Sequence, residues 1–499
     1  NLVLEAEQTS ALANQLKVGP TENSAKYVWN QPVQARVRAI FDKAATEGGA
    51  TGFVDSAGSG QGAVGVVLDA SSFYPEQGGQ VFDTGSISCP QTGASLAVVN
   101  CQAFGGYILH IGTVSDGEAL KVGDEVEVVV DYARRSLIAP NHTMTHVLNF
   151  ALREVLLGGC GADNSGGMCE QKGSHVDQDR LRFDFSWNAQ PKTEDLQKVE
   201  ALVNEKIEAA LPVFAEVAPL EKAARIHSLR QVFGERYPDP VRVVSVGQDV
   251  GPMLEDPENP AWSGLSIEFC GGTHLSNTKE AKYFQLLEEG GIAKGIRRVI
   301  GVTREAAVAA KEASEAFKKK ITEADKLEGQ ALDEAWRALT QELNQLQISI
   351  VDKAGHRAQL DAQVERIKKW KKKAAAGSAT QAIGAVNALA SEAKEKGQNV
   401  VVARLDFGCN GKVGKKALGE FKKVHPGASL MLLSADTEKD RFQIFAMVPE
   451  AAKKGLDARE WVKAALDAAG GGKGGGKPDD AMGNAAGVSG IESAIEAAK

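Results

Sequence analysis

A chain of 499 residues with a hydrophobic fraction of 43% is too long for one core, so three or four domains are expected. A net charge of −8 argues against indiscriminate nucleic-acid binding, and the lack of an 18-residue apolar run excludes a membrane-spanning helix. Six cysteines without framework spacing read as reduced thiols of an intracellular protein. The first residue is Asn1 and the first methionine Met144, so the chain reads as a fragment or a processed product.

In chain order, residues 1–20 (LVLEAEQTSALANQL, then Gly-Pro) read as the end of an upstream helical region. Residues 21–131 hold the strand-like runs AVGVVLDA (63–70), SLAVVNCQAF (95–104), GYILHIG (106–112) and DEVEVVVD (124–131), separated by Gly, Asp and Ser. These predict a small antiparallel β-barrel. Residues 132–302 mix helix and strand. HTMTHVLNFALREVLL (142–157) has a helical apolar period, RLRFDFSW (180–187) alternates, TEDLQKVEALVNEKIEAAL (193–211) is amphipathic, and VRVVSV (241–246) is a short strand. The expectation is an α+β domain.

Residues 303–378 are rich in Ala, Glu and Lys and hold no proline. Leu332, Trp336, Leu339, Leu343, Leu346 and Ile350 form a seam, with Leu360, Val364 and Ile367 beyond Gly355. That spacing predicts an antiparallel, coiled-coil-like helical hairpin turning near Gly355, its second arm ending in the basic run KKWKKK (368–373). Residues 379–499 read as a compact α/β module with helices at 412–424 and 456–469, strands at 399–405, 429–435 and 441–448, a Gly-rich loop GGGKGGGKPDD (470–480) and a terminal helix.

One short stretch carries chemistry. In SIEFCGGTH (266–274), Cys270 and His274 sit four apart around two glycines. In HTMTH, His142 and His146 sit four apart on a predicted helix and so share a face. Together they make a His3Cys set, a donor group suited to one Zn2+. Cys89, Cys101, Cys160, Cys169, His175 and His227 show no such spacing. A zincin would carry Glu at 143, but Thr143 stands there, which disfavours a metalloprotease. Whether such a metal is structural or catalytic stays open at this level.

HTMTHVLNFALREVL, QKGSHV (171–176), LRFDF (181–185), YPDPVRVVSVG (237–247), SIEFCGGTH and AKGIRRVIGVT (293–303) resemble the editing domain of alanyl-tRNA synthetases. LDASSFYPEQGGQVFDTG (68–85) resembles the barrel that precedes it in that family, and the hairpin and the Gly-rich module resemble the family's C-terminal region. The resemblance runs from about residue 10 to the end and points to a eukaryote-type enzyme in the cytoplasm, with an organellar copy as the alternative. It implies a chain without the ATP- and Mg2+-dependent aminoacylation core, which would lie upstream. What remains implies hydrolytic editing of mischarged seryl- and glycyl-tRNA(Ala), binding of tRNA(Ala), one Zn2+, and a C-terminal domain that serves either tRNA binding or homo-oligomerisation.

The resemblance also implies roles. Ser71 stands where the family's barrel motif carries a Thr that senses serine's hydroxyl. Gln171 orients substrate or water. The Gly271–Gly272 backbone offers N–H donors to an oxyanion beside Cys270, and Arg297 and Arg298 contact the tRNA 3′ end. Glu76 holds the barrel against the editing core. Lys412, Lys415 and Lys416 on a helix, and Lys473 and Lys477 in the Gly-rich loop, face the tRNA backbone. The rival expectations are a threonyl-tRNA synthetase-type editing protein and a non-catalytic RNA-binding protein with a structural zinc.

Overall fold

The computed structural model describes residues 2–115, 117–159, 167–232 and 235–499; Cys160 lies outside them. The chain divides into two compact units, residues 1–323 with 339–359, and residues 324–338 with 360–499.

The first unit begins with a short helix, α1 (Ala6–Asn14), whose Leu12 packs with Val67, Tyr107 and Leu109 on the outside of a barrel. Its strands are β1 (Val33–Phe41), β2 (Ala63–Leu68), β3 (Gly85–Ser88), β4 (Ser95–Phe104), β5 (Tyr107–Val114) and β6 (Glu125–Val130). They run antiparallel in the order β1-β2-β5-β4-β3-β6, and β6 pairs back onto β1. Closure leaves none of the six as a free edge. Period-two alternation puts Val37, Val66, Leu96, Val126 and Val128 inside. Strand β1 was not apparent in the sequence, because Gln34, Arg36 and Arg38 occupy its outward positions and make VQARVRAIF read as polar.

Beyond the barrel, α2 (Tyr132–Leu157) begins ten residues earlier than expected. Asp131 caps it, its carboxylate accepting the Arg134 N–H at 3.0 Å. Pro140 lies inside the helix. From Ile138 to Arg153 every residue of α2 is buried, because the helix is sheathed on all sides. Next come β7 (Gln171–Val176), β8 (Leu181–Ser186), α3 (Thr193–Glu208), β9 (Val213–Ala218), β10 (Val241–Val246), β11 (Ser266–Phe269), β12 (Phe284–Ala293) and β13 (Ile296–Thr303). Two antiparallel sheets result, β7-β8-β13-β12 and β9-β10-β11. Met144, Leu148, Phe183, Phe185, Val199, Val203 and Phe284 form the core between α2, α3 and the larger sheet. Each such side chain contributes roughly 1.5–3 kcal/mol on burial.

The segment expected as one hairpin is three helices: α4 (Arg304–Ala324), α5 (Gly329–Gln345) and α6 (Ile350–Glu395). The chain turns at 325–328 and again at 346–349, and Gly355 lies inside α6. The first turn passes through Gly329, whose φ of +62° is open to glycine without strain. Leu346, read as one continuous seam with Leu343 and Ile350, therefore lies in a break, and Ile350 opens the next helix. In place of two arms turning near Gly355, the chain runs through three helices with breaks at 325–328 and 346–349.

In the second unit, β14 (Val400–Arg404), α7 (Gly411–Val424), β15 (Ser429–Asp436), β16 (Arg441–Met447), α8 (Ala458–Ala468), β17 (Lys473–Lys477), β18 (Asp480–Ala486) and α9 (Ile491–Ala498) follow α6. The sheet order is β14-β15-β16-β18-β17, with β14 parallel to β15 and the other pairs antiparallel. The expected Gly-rich loop is in fact strand β17 paired with β18. A Cβ on Gly474 would lie 3.0 Å from Leu466 Cδ1, and one on Gly483 would lie 2.7 Å from Val462 Cγ1. The glycines thus let α8 lie flat on the sheet, which answers for the run without invoking a phosphate.

Candidate metal centre

The two pairs of ligating side chains meet. His142 and His146 project from one face of α2, and Cys270 and His274 follow β11. One ligand atom from each of the four lies within 4.8 Å of the others. Cys270 Sγ is 3.4 Å from His142 Nε2 and 3.4 Å from His274 Nε2. In a tetrahedral Zn2+ site with ordinary bond lengths, sulfur and nitrogen sit roughly 3.5 Å apart. The donor set and its spacing therefore fit a zinc-like cation.

The tautomers fit as well. Gln80 Oε1 accepts the Thr273 N–H at 3.0 Å, and Gln80 Nε2 donates to Thr273 Oγ1 at 2.9 Å. That fixes which end of the amide is oxygen. His142 Nδ1–H donates to the same oxygen at 2.6 Å, leaving its Nε2 lone pair facing the sulfur. Thr143 Oγ1 donates to the Ala139 carbonyl at 3.0 Å and accepts from Leu275 N at 3.1 Å. Its remaining lone pair accepts from His274 Nδ1 at 3.2 Å, which turns His274 Nε2 inward.

Burial keeps the imidazoles available as ligands. Burial, with Arg242 nearby, pushes His142 down to about 3. Burial and the neighbouring histidines hold His146 and His274 well below the usual range, so all three imidazoles are neutral and keep their lone pairs. Burial pushes the Cys270 thiol up to about 12. A cation placed among them reverses this for the sulfur and makes the thiolate the stable form.

The cluster sits at the wall of a cleft of about 1240 Å³, which Gln171, Asn149, Arg153, Arg242 and Glu268 also line. Glu268 is buried, accepts from Asn149 Nδ2 at 2.8 Å, and lies 3.5 Å from His146 Nε2. Its burial raises the carboxyl to about 8. Arg242 donates to the carbonyls of Cys270 and Gly272 at 2.8 and 3.0 Å and stacks 4.0 Å from the centroid of Tyr27, whose hydroxyl donates to the Gly271 carbonyl. The Cys-Gly-Gly turn is thus clamped from outside while its sulfur faces in.

Comparison with known proteins adds independent weight. Residues 4–134 match the family described as tRNA synthetases class II (A), and residues 241–300 the threonyl and alanyl tRNA synthetase second additional domain. Residues 307–370 match the alanine–tRNA ligase domain, and 397–499 the DHHA1 domain. Over 99% of the chain, 38% of residues are identical to the cytoplasmic alanine–tRNA ligase of Dictyostelium discoideum. The chain belongs to the alanyl-tRNA synthetase family. The alanine–tRNA ligase of Candida albicans is 37% identical over 99% of the chain, and the mitochondrial one of Saccharomyces cerevisiae 42% over 68%. The chain covers 50% of the Dictyostelium protein, 49% of the Candida protein and 33% of the Saccharomyces protein, so it spans at most about half the length of these curated relatives. The match at 307–370 separates it from the threonyl alternative, since the second additional domain is shared by both synthetases.

Several residues singled out on the alanyl-tRNA synthetase resemblance occupy other roles. Ser71 does not reach the cleft. It is fully buried in the barrel, where it shares a 2.7 Å hydrogen bond with His110 Nε2 and accepts from Phe73 N at 3.1 Å. The Gly272 N–H is directed at Cys270 Sγ, 3.3 Å away, and is not free for an oxyanion. Neither Gly271 nor Gly272 needs positive φ. Gly272 is required instead for contact, since a Cβ there would lie 2.0 Å from His142 Cε1. Arg298 is spent on Asp184, with two hydrogen bonds of 2.7 and 2.8 Å, and Arg297 on Glu289 at 2.5 Å; neither lines the cleft. Glu76 accepts from Gln102 within the barrel at 2.8 Å. The seam from barrel to editing core is made by Gly79 and Val81 against Val176, at 2.7 and 3.0 Å.

Gln171 does line the cleft, on strand β7, and its amide donates to Ser174 Oγ at 3.2 Å. Lys412, Lys415 and Lys416 are exposed on α7, and Lys473 and Lys477 on β17. Gln80, Asn149, Arg242 and Glu268 were not singled out beforehand, and Thr143 was noted only as standing where a zincin carries Glu. All five lie inside stretches quoted for the resemblance, but nothing in their spacing marks them.

Proposed function

We propose that the chain is a hydrolytic editing module that removes serine and glycine from mischarged tRNA(Ala). The observation that carries this is the His3Cys cluster lying at the wall of a cleft large enough for an acylated nucleotide, with Cys270 only half-buried. A pocket built for alanine rejects glycine or serine by only roughly 10–200-fold, so a second, hydrolytic site is what such an enzyme needs.

His142, His146, Cys270 and His274 would hold one Zn2+, which when bound supplies positive charge beside the ester. Gln80 and Thr143 keep two of the imidazoles in the ligating tautomer. Glu268, held by Asn149, sets the polar floor next to His146 and is placed to accept a hydrogen bond from a water. Arg242 and Tyr27 hold the Cys-Gly-Gly turn rigid. The exposed lysines of α7 and β17 supply contacts to the tRNA backbone, which predicts affinity that falls with added salt.

A structural zinc is the second reading, because four protein ligands complete a tetrahedral shell. Incubation with seryl- and alanyl-tRNA(Ala) separates the two. Editing predicts loss of serine with alanine spared, abolished in Cys270→Ala. RNA binding without turnover supports the structural role.

A further inference from the structure

Arg153 lies on the cleft-lining face of α2, two turns beyond His146, and is 5% exposed. Among the described residues its Nε is buried without a hydrogen-bond partner, and its Nη1 reaches one acceptor, the Cys169 carbonyl at 3.4 Å. A guanidinium taken out of water is strongly unfavourable unless its N–H groups are met. Of the nearby carboxylates, Glu268 feels the Arg153 charge but takes its hydrogen bond from Asn149 at 2.8 Å, and Glu170 pairs with Lys172 at 3.0 Å.

The charge around it is out of keeping with the chain. Lys26, Arg153, Lys172, Arg230, Arg236 and Arg242 line the cleft against Glu170, Glu235 and Glu268, six basic side chains to three acidic ones, in a protein of net charge −8. Seven residues of α-helix place Arg153 about 10 Å along the axis from His146. One nucleotide carrying an acyl ester on its 3′ side spans a distance of that order.

We infer that Arg153 is an anion subsite, built to take a phosphate oxygen of the nucleotide whose ester lies at the metal cluster. The identity of that nucleotide rests on the editing reading. The subsite itself rests on the buried, under-partnered guanidinium. Arg153 is a positioning residue here: its planar fork grips the phosphate and sets where the ester falls.

The test compares binding of AMP and adenosine to the full chain by calorimetry. AMP is expected to bind at least about tenfold more tightly, the range of a charge-assisted pair of hydrogen bonds. Arg153→Met should erase that preference and leave adenosine affinity unchanged. Arg153→Lys, which keeps the charge and loses the fork, should retain part of it. No preference in the wild type overturns the proposal. So does a preference that survives in Arg153→Met, or loss of adenosine binding as well, which marks a merely structural clamp on Cys169. Hydrolysis of seryl-adenosine without any AMP preference would sink the subsite and leave editing standing. AMP preference without seryl-ester hydrolysis would do the reverse.

Discussion

Gln80 Oε1 and His142 Nδ1 lie 2.6 Å apart although 62 positions separate them in the chain. This contact ties the barrel's Gly-rich turn to the first ligand of the metal cluster. It makes the barrel part of the site and not merely its neighbour.

Gln80→Leu should keep the fold and weaken metal binding by about 10–100-fold, the usual cost of removing an outer partner of a ligating histidine. Competition with a chelator measures this. Unchanged affinity would mean that His142 is oriented by α2 alone.

Gly272→Ala and Gly271→Ala should part company. A methyl at 272 would meet His142 at 2.0 Å, whereas the nearest atoms to one at 271 are 3.9 Å away. Metal analysis should show the first variant depleted and the second near wild type. Equal metal content in both would contradict the packing described for the turn.

The same turn shows what the sequence discloses. His142, His146, Cys270 and His274 were legible because two pairs, each four apart and each obeying helix or turn geometry, together make one donor set. The outer partners were not, because Gln80 and Thr143 are ordinary polar residues whose meaning is tertiary. Strand β1 was hidden by its outward arginines, and β17 by glycines that read as loop until α8 is seen lying on them. Ser71 shows the converse: a hydroxyl in a motif reads as a substrate contact, and in the structure His110 across the barrel is its partner.

Ser71→Ala should cost about 1–2 kcal/mol of barrel stability, the value of a buried hydroxyl whose partner is left unpaired. Discrimination between seryl- and alanyl-tRNA should not move. Urea unfolding and a deacylation assay on the same preparation check both halves. A relaxed preference with unchanged stability would return Ser71 to the site.

His110 gives a pH dependence. Burial holds it down to about 4, against roughly 6.5 in the unfolded chain. Between these values the unfolded state binds the extra proton, so stability rises with pH, by up to about 1.4 kcal/mol per unit. The contribution is complete above the unfolded value and is lost as pH falls toward the folded one. The stability gap between wild type and His110→Gln should therefore narrow from pH 7 to pH 5. A constant gap would show that His110 protonates freely in the barrel.

α2 and the turn after β11 are placed to close on a single cation. X-ray absorption at the zinc edge of the purified chain tests it most directly. One zinc per chain with three nitrogen neighbours and one sulfur is the expected result. A metal-free chain, or a bound zinc with no sulfur in its shell, would contradict it.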